Sequence, residues 1–229
     1  MKISKTGNIW YSPYSVYKHL QLLADEVGVK AIEKNGKYKV VREARIAAVT
    51  AVVLYKITGK PAYIQLPDSD PPDAFIMQQS TEKIGQLDIS TLEITSYRAN
   101  NGSLFEQLKN TKMKKNSGYS DEYILVVELF SNEEIDYDKI RNYANNISLP
   151  FPIWTLKGIV VDGTTTAELV IVNPETHFYE IPIADAIAQW HDKNLIDIIT
   201  TKRTGSEEKV RTESSGNIEL SPWKHLIKK

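Results

Sequence analysis

Two acidic residues lie where the sequence otherwise predicts β-strands. Asp73 follows the dipeptide Pro71-Pro72, and Glu93 lies inside the strand-like run over residues 86–97. Burying an unpaired carboxylate is costly, so acids at the start of one strand and within the next call for a compensating charge. A hard cation such as Mg²⁺ or Mn²⁺ could supply that charge, because these ions prefer oxygen ligands.

A third acid, Glu43, belongs to a predicted helix over residues 42–60 that ends near Gly59. It projects from the same face as Ile46 and Val53, which we expect to point at the core. Adjacent strands lie about 4.8 Å apart, so side chains on a shared face of a sheet can meet at one cation. We therefore expect Asp73 and Glu93 to bind one metal ion, with Glu43 as a third ligand or a supporting group.

The elements around these acids are predicted to alternate between helices and strands. A helix capped by Ser12 is expected to extend to Gly28, and the Asn35-Gly36 dipeptide predicts a hairpin turn. The almost wholly apolar run over residues 123–130 predicts a strand covered on both faces, and a later helix is expected to have Pro182 near its start. The order is helices, a strand meander, a helix, a strand, a helix, two strands and a helix, so we predict an α/β fold with a mixed central sheet flanked by helices. Residues 1–200 would form one domain, followed by a polar linker and C-terminal extension over residues 201–229.

The spacing of apolar residues predicts which face of each of the first two helices packs in the core. In the first helix the stripe is Tyr17, Leu20, Ala24 and Val27, and in the second it is Ile46, Val49, Val53, Leu54 and Ile57. Tyr11, Tyr14 and Tyr17 recur every third residue and could stack on bases. Their helical spacing favours packing instead.

Residues 38–130 resemble the PD-(D/E)XK nuclease superfamily, which has the restriction-endonuclease-like fold. The matching features are Glu43 on a helix, Pro72-Asp73, and Glu93-Ile94-Thr95 on a strand that precedes another helix and strand. The resemblance implies a nuclease dependent on Mg²⁺ or Mn²⁺ that hydrolyses phosphodiester bonds in DNA or RNA. It also implies Asp73, Glu93, the carbonyl of Ile94 and Glu43 as metal ligands, and a homodimer as a possible assembly.

The sequence departs from the superfamily pattern where a catalytic lysine is expected, because Thr95 occupies that position. A threonine hydroxyl is neutral and short, so it cannot replace an ammonium. The cap-snatching endonucleases of segmented negative-strand RNA viruses take this lysine from the following helix. By the same resemblance, Lys109 is our first choice here, because it is nearer the helix start, and Lys112 is the second.

The basic run that contains these lysines has two interpretations. Lys109, Lys112, Lys114 and Lys115 could bind the phosphates of a nucleic acid, or they could be a solvated helix end, where lysine is favourable.

Each acid also has a simpler explanation. Asp73 could belong to a turn, Glu93 could face solvent on a one-sided sheet, and Glu43 could favour the helix dipole. The alternatives to an active enzyme are therefore a nuclease-like binding module that has lost its chemistry and an unrelated α/β interaction protein.

Composition excludes several other classes of function. The 229 residues contain no cysteine, so disulfides, thiolate metal sites and a cysteine nucleophile are absent. The four histidines show no zinc-site spacing, and the chain has no Walker loop, GxGxxG or GxSxG motif. No apolar run approaches the length of a bilayer span, and the first residues lack a signal-peptide pattern. We expect a cytoplasmic protein without a membrane partner, and the net charge of −1 leaves nucleic acid binding to local patches.

Overall fold

A computed structural model describes residues 8–67, 72–79, 87–99, 102–114, 118–161, 164–192, 198–204 and 207–212. The chain divides into two compact units. Unit 1 contains Met1–Ile89 and Asp185–Lys229, and unit 2 contains Ser90–Ala184. The described helices are α1 (Pro13–Val27), α2 (Val29–Lys34), α3 (Lys39–Thr58), α4 (Leu104–Thr111), α5 (Tyr137–Asn146) and α6 (Ile183–Asp192), with a short 3-10 helix at Gly36–Tyr38.

The described strands fall into one sheet segment per unit. In unit 1 they are β1 (Asn8–Tyr11), β2 (Ala62–Gln65), β3 (Ala74–Gln79), β9 (Ile198–Thr204) and β10 (Glu207–Thr212). Strand β4 (Leu87–Tyr97) begins at the end of unit 1 and continues into unit 2, which also holds β5 (Tyr123–Leu129), β6 (Ile153–Val161), β7 (Thr164–Ile171) and β8 (His177–Pro182).

Helix α3 is the central helix of unit 1 and packs against α1, β2 and β3. The neighbouring strands β10, β9, β1, β2 and β3 are all antiparallel in that order. Several of the buried α3 residues are alanines, whose small side chains let the neighbouring elements approach closely. The helix ends at Gly59, which has φ 70°, a left-handed conformation that glycine adopts without steric cost.

The sheet segment of unit 2 mixes parallel and antiparallel pairs. Strands β4, β5 and β6 are parallel neighbours, and β7 and β8 follow as antiparallel neighbours. Helices α4 and α5 contribute Leu104, Phe105, Leu108 and Ile140 to a core cluster that includes Leu125 and Val127 of β5. Strand β5 is buried along nearly its whole length, as its apolar sequence predicts.

The predicted fold class is confirmed at the level of an α/β protein with a mixed sheet and packed helices. The first two long helices lie where the sequence places them. Ser12 caps α1 by accepting a hydrogen bond from the backbone N–H of Ser15 at 3.0 Å. None of the helices in the described part combines the length and the apolar character needed to cross a bilayer.

The predicted hairpin at Asn35-Gly36 is wrong. The chain instead forms α2 and the short 3-10 helix there, and the side chain of Asn35 accepts a hydrogen bond from the backbone N–H of Lys37 at 3.1 Å. Arg42 of α3 donates to the carbonyls of Ile32 at 2.6 Å and Asn35 at 3.0 Å. Asparagine favours helix caps as well as turns, and this tertiary contact stabilises the helical alternative.

The predicted core stripes are confirmed only in part. In α3, Ile46, Val49 and Val53 are buried, but Leu54 is half-buried and Ile57 is 42% exposed. In α1 the buried residues are Pro13, Ser15, Val16 and His19, whereas the predicted stripe of Tyr17, Leu20, Ala24 and Val27 is only half-buried. The face of α1 that α3 covers is thus rotated from the most apolar face.

The sequence did not predict β1, β8 or the pair β9 and β10. Strand β8 ends at Pro182, which directly precedes α6, so the prediction of a helix start near Pro182 is confirmed. Part of the predicted polar linker forms the antiparallel pair β9 and β10, and β9 also pairs with β1. Backbone hydrogen bonds build such a pair without apolar side chains, so composition alone gave no signal. Residues 213–229 lie outside the described part.

Candidate metal and catalytic residues

The first cluster of predicted site residues lies in unit 1, where Glu43 and Asp73 share a lysine. Glu43 projects from the first half of α3, and Asp73 immediately precedes β3. Both acids are buried, at 7% and 8% exposure. The Lys39 ammonium lies 3.1 Å from the Glu43 carboxylate and 3.6 Å from that of Asp73. The structure thus brings two of the three predicted acids to one cation.

Electrostatics within this cluster favour a bound proton on one acid. Burial raises the pKa of Glu43, the negative charge of Asp73 raises it further, and Lys39 partly opposes both effects, which leaves the pKa at about 7. Two carboxylates held this close resist simultaneous ionisation. At Glu43 the charge of Lys39 therefore does not fully offset burial and the charge of Asp73, and further positive charge would be favourable there.

The donor set of this cluster fits a partly hydrated hard cation. Mg²⁺ is commonly bound by one or two carboxylates and keeps several of its waters. Glu43 and Asp73 provide two such carboxylates. Within the described ranges, no group of three or more His, Asp or Glu side chains is arranged to hold a metal ion. A complete all-protein cage is therefore absent from that part of the chain.

The second cluster lies in unit 2 and joins Glu93 to a lysine. Glu93 projects from β4, and Lys112 directly follows the end of α4. The Lys112 ammonium donates to the Glu93 carboxylate at 2.6 Å and to the Tyr119 hydroxyl at 3.1 Å. Burial lowers the pKa of Lys112, but the hydrogen bonds and charges of Glu93 and Tyr119 outweigh it, so the pKa is raised. Lys112 is therefore positively charged at neutral pH.

The two candidate lysines of α4 point to different places. Lys109, our first choice, lies over the rings of Phe105 and Tyr143, with its ammonium 5.7 Å from each ring centroid. Lys112, the second choice, contacts Glu93 and lines a cavity of about 390 Å³ together with Thr95. Of the two, the geometry favours Lys112 for the position that Thr95 leaves without a charge.

The positions of the remaining predicted site residues do not bear on the metal or lysine roles. Lys114 is exposed, and Lys115 lies outside the described residues. Ile94 is half-buried on β4. The prediction that Asp73 and Glu93 bind the same cation joins residues of different units and stays a prediction.

Lys39 and Tyr119 were not among the residues predicted from the sequence. Lys39 precedes Glu43 by four residues on a helix, a spacing at which side chains are neighbours, so the i,i+4 rule could have found this pair. Tyr119 had no comparable signal, because its contact with Lys112 depends on how the chain returns from α4 towards β5.

Fold and clusters together define an α/β protein with one carboxylate and lysine cluster in each compact unit. Comparison of the chain with models of protein families, with curated proteins and with solved structures found no match.

Proposed function

We propose that this protein is a divalent-metal-dependent nuclease of the restriction-endonuclease-like class that hydrolyses phosphodiester bonds in DNA or RNA. The observation that carries the proposal is the buried pair of Glu43 and Asp73, in which burial and, after it, the charge of Asp73 raise the pKa of Glu43 to about 7. The order α3, β2, β3, β4, α4 and β5 supports it, because it matches the helix, strands, helix and strand of the superfamily resemblance.

Glu43 and Asp73 would hold Mg²⁺ or Mn²⁺, with Glu93 and the carbonyl of Ile94 as further predicted ligands. A bound ion of this kind polarises a phosphate and lowers the pKa of a coordinated water. Lys39 is 53% exposed at its side chain, so its ammonium can turn to solvent when a metal ion takes its place between the acids. Nucleic acid is then the partner, and a homodimer is a compatible assembly.

Lys112 would take the role of the lysine that is missing at Thr95. Its ammonium is held by Glu93 and Tyr119, and its raised pKa keeps it charged at neutral pH. A fixed positive charge stabilises the negative charge that develops on a phosphate during hydrolysis.

A specific observation favours the alternative of an inactive nuclease-like binding module. Each acid already contacts a lysine: Glu43 and Asp73 contact Lys39, and Glu93 contacts Lys112. Ion pairs of this kind can be purely structural.

Manganese titration by calorimetry tests the metal site. We expect the wild type to bind Mn²⁺ and Asp73→Asn to bind it at least tenfold more weakly, because the variant keeps the shape but loses the charge. Asp25→Asn, at an exposed position of α1, is the matched control and should bind like the wild type. Equal affinity in Asp73→Asn and the wild type, or no binding to either, would refute the proposed site.

A further inference from the structure

Unit 1 contains a groove whose lining does not include Lys39, Glu43 or Asp73. It has a volume of about 480 Å³ and runs along α1, α2 and α3. Its floor is apolar and includes Leu20, Ala24 and Val41, and Val29 at its edge is 59% exposed. We call it the α1–α3 groove.

This groove contains the apolar stripe of α1 that the sequence places in the core. Tyr17, Leu20 and Ala24 of that stripe line the groove and are half-buried. Apolar and aromatic surface left accessible in this way often marks a binding site. Tyr14 also lines the groove, so two of the three regularly spaced tyrosines lie there.

Positive charge surrounds these aromatic rings. Lys18, Arg42 and Arg45 line the groove against one acid, Glu33. The Lys18 ammonium lies 6.0 Å from the ring centroid of Tyr14. Burial raises the pKa of Tyr17, and the nearby charge of Arg45 partly offsets this effect. The groove therefore combines an aromatic and apolar floor with a positively charged rim.

We infer that the α1–α3 groove binds single-stranded nucleic acid, with bases on the rings of Tyr14 and Tyr17 and phosphates near Lys18 and Arg45. Proteins that bind single strands combine these two features, a positive groove and aromatic rings on which bases stack. A duplex hides the faces of its bases within its own stack, so the tyrosine rings select for single strands. The inference deepens the proposed function, on which it rests for the identity of the ligand, by naming the substrate class.

The positively charged residues of the groove favour this ligand as well as the tyrosine rings do. Arg42 is fixed by its hydrogen bonds to Ile32 and Asn35, so it contributes a charge without freedom to move. Lys18 and Arg45 are exposed, so a phosphate of a bound strand can reach their charges. These two residues are therefore the informative ones to change.

Fluorescence anisotropy with a labelled single-stranded oligonucleotide of about ten nucleotides tests the inference. The measurement is made in EDTA, so that binding is read without cleavage and without the metal site. We expect single strands to bind more tightly than a duplex of the same sequence. Tyr14→Ala should weaken binding about 5- to 100-fold, because one stacking contact is lost.

Charge is tested separately by the salt dependence. Arg45→Gln and Lys18→Gln should each lower the slope of log affinity against log salt by about 0.7, the value for one phosphate contact on a single strand. Lys56→Gln is the matched control, because Lys56 is an exposed lysine in the last turn of α3 and does not line the groove.

Two outcomes would overturn the inference. In the first, Tyr14→Ala and Arg45→Gln bind the single strand with the same affinity and salt dependence as Lys56→Gln. In the second, the wild type binds the duplex as tightly as the single strand. If binding in EDTA depends on Tyr14 but the protein does not cleave nucleic acid in Mn²⁺, the proposed binding groove stands and the proposed nuclease activity is refuted. If cleavage requires Asp73 but is unchanged in Tyr14→Ala and Arg45→Gln, the proposed nuclease activity stands and the proposed binding groove is refuted.

Discussion

Glu43 links the stability of the fold to pH. Its carboxyl is buried beside Asp73, and its pKa is raised from 4.5 to about 7. A carboxyl with a raised pKa binds more protons in the folded state than in the unfolded state. Its contribution to folding is therefore complete below pH 4.5 and is lost as the pH rises through about 7.

Glu43→Gln is predicted to remove this pH dependence. At pH 8 the variant should have a higher free energy of unfolding than the wild type, because it does not bury a charge beside Asp73. At pH 4.5 the difference should disappear, since the wild-type carboxyl is then protonated in the fold. Urea denaturation at both pH values, without metal, measures this effect. The same advantage at both pH values would mean that the Glu43 charge does not oppose folding.

Helix α4 determines which lysine reaches the acid on β4. Leu104, Phe105 and Leu108 bury one side of the helix in the core of unit 2. Lys109, one residue after Leu108, lies over the rings of Phe105 and Tyr143. Lys112 comes after the last helical residue, where its ammonium meets Glu93. The contact with Glu93 is therefore made by the lysine that follows the end of α4, and not by the lysine nearer its start.

We predict that Lys112→Gln reduces nuclease activity and Lys109→Gln does not. Loss of the Lys112 charge should lower kcat by about 100-fold or more, the scale for removing one group that stabilises a transition-state charge. Cleavage of single-stranded and duplex DNA and RNA in Mn²⁺ measures the rate. Lys109→Gln is the matched control, because it removes a lysine charge only three residues away in the chain. If both variants cut at the wild-type rate, neither lysine takes part in the chemistry.

At the scale of the whole molecule, a buried histidine makes the free energy of unfolding depend on pH in the acid range. His19 is 6% exposed on the covered side of α1, and its ring meets that of Tyr11 edge-on at 6.4 Å. Burial lowers the pKa of His19, and Lys18 adds to this effect, although a hydrogen bond involving Ser15 opposes it. A histidine with a lowered pKa stabilises the fold above its unfolded pKa of 6.5, and this stability is lost as the pH falls.

Acidification from pH 7 to pH 5 is therefore predicted to lower the melting temperature more in the wild type than in His19→Phe. The phenylalanine keeps an aromatic ring at the site but cannot gain a proton. Thermal unfolding at the two pH values gives the comparison, with His177→Phe as the control, because His177 is exposed on β8. An equal acid shift in His19→Phe and the wild type would show that His19 does not titrate during unfolding.

The sequence by itself determined the elements whose signals are local. The cap at Ser12, the stop at Gly59 and the apolar run of β5 each depend on neighbours along the chain, and all three are found where expected. The same holds for the α/β class, which follows from the alternation of helical and strand periods. Glu43 and Asp73 were also singled out by residue type and order.

Tertiary structure decided the contacts that join distant parts of the chain. Lys112 rather than Lys109 meets Glu93, Lys39 joins Glu43 to Asp73, and β9 pairs with β1. It also decided which face of α1 is covered, which leaves Tyr17 in an open groove. Such contacts depend on how packing rotates and positions each element. Side-chain periodicity predicts which residues share a face of a helix or strand, but not which face is covered or by which partner.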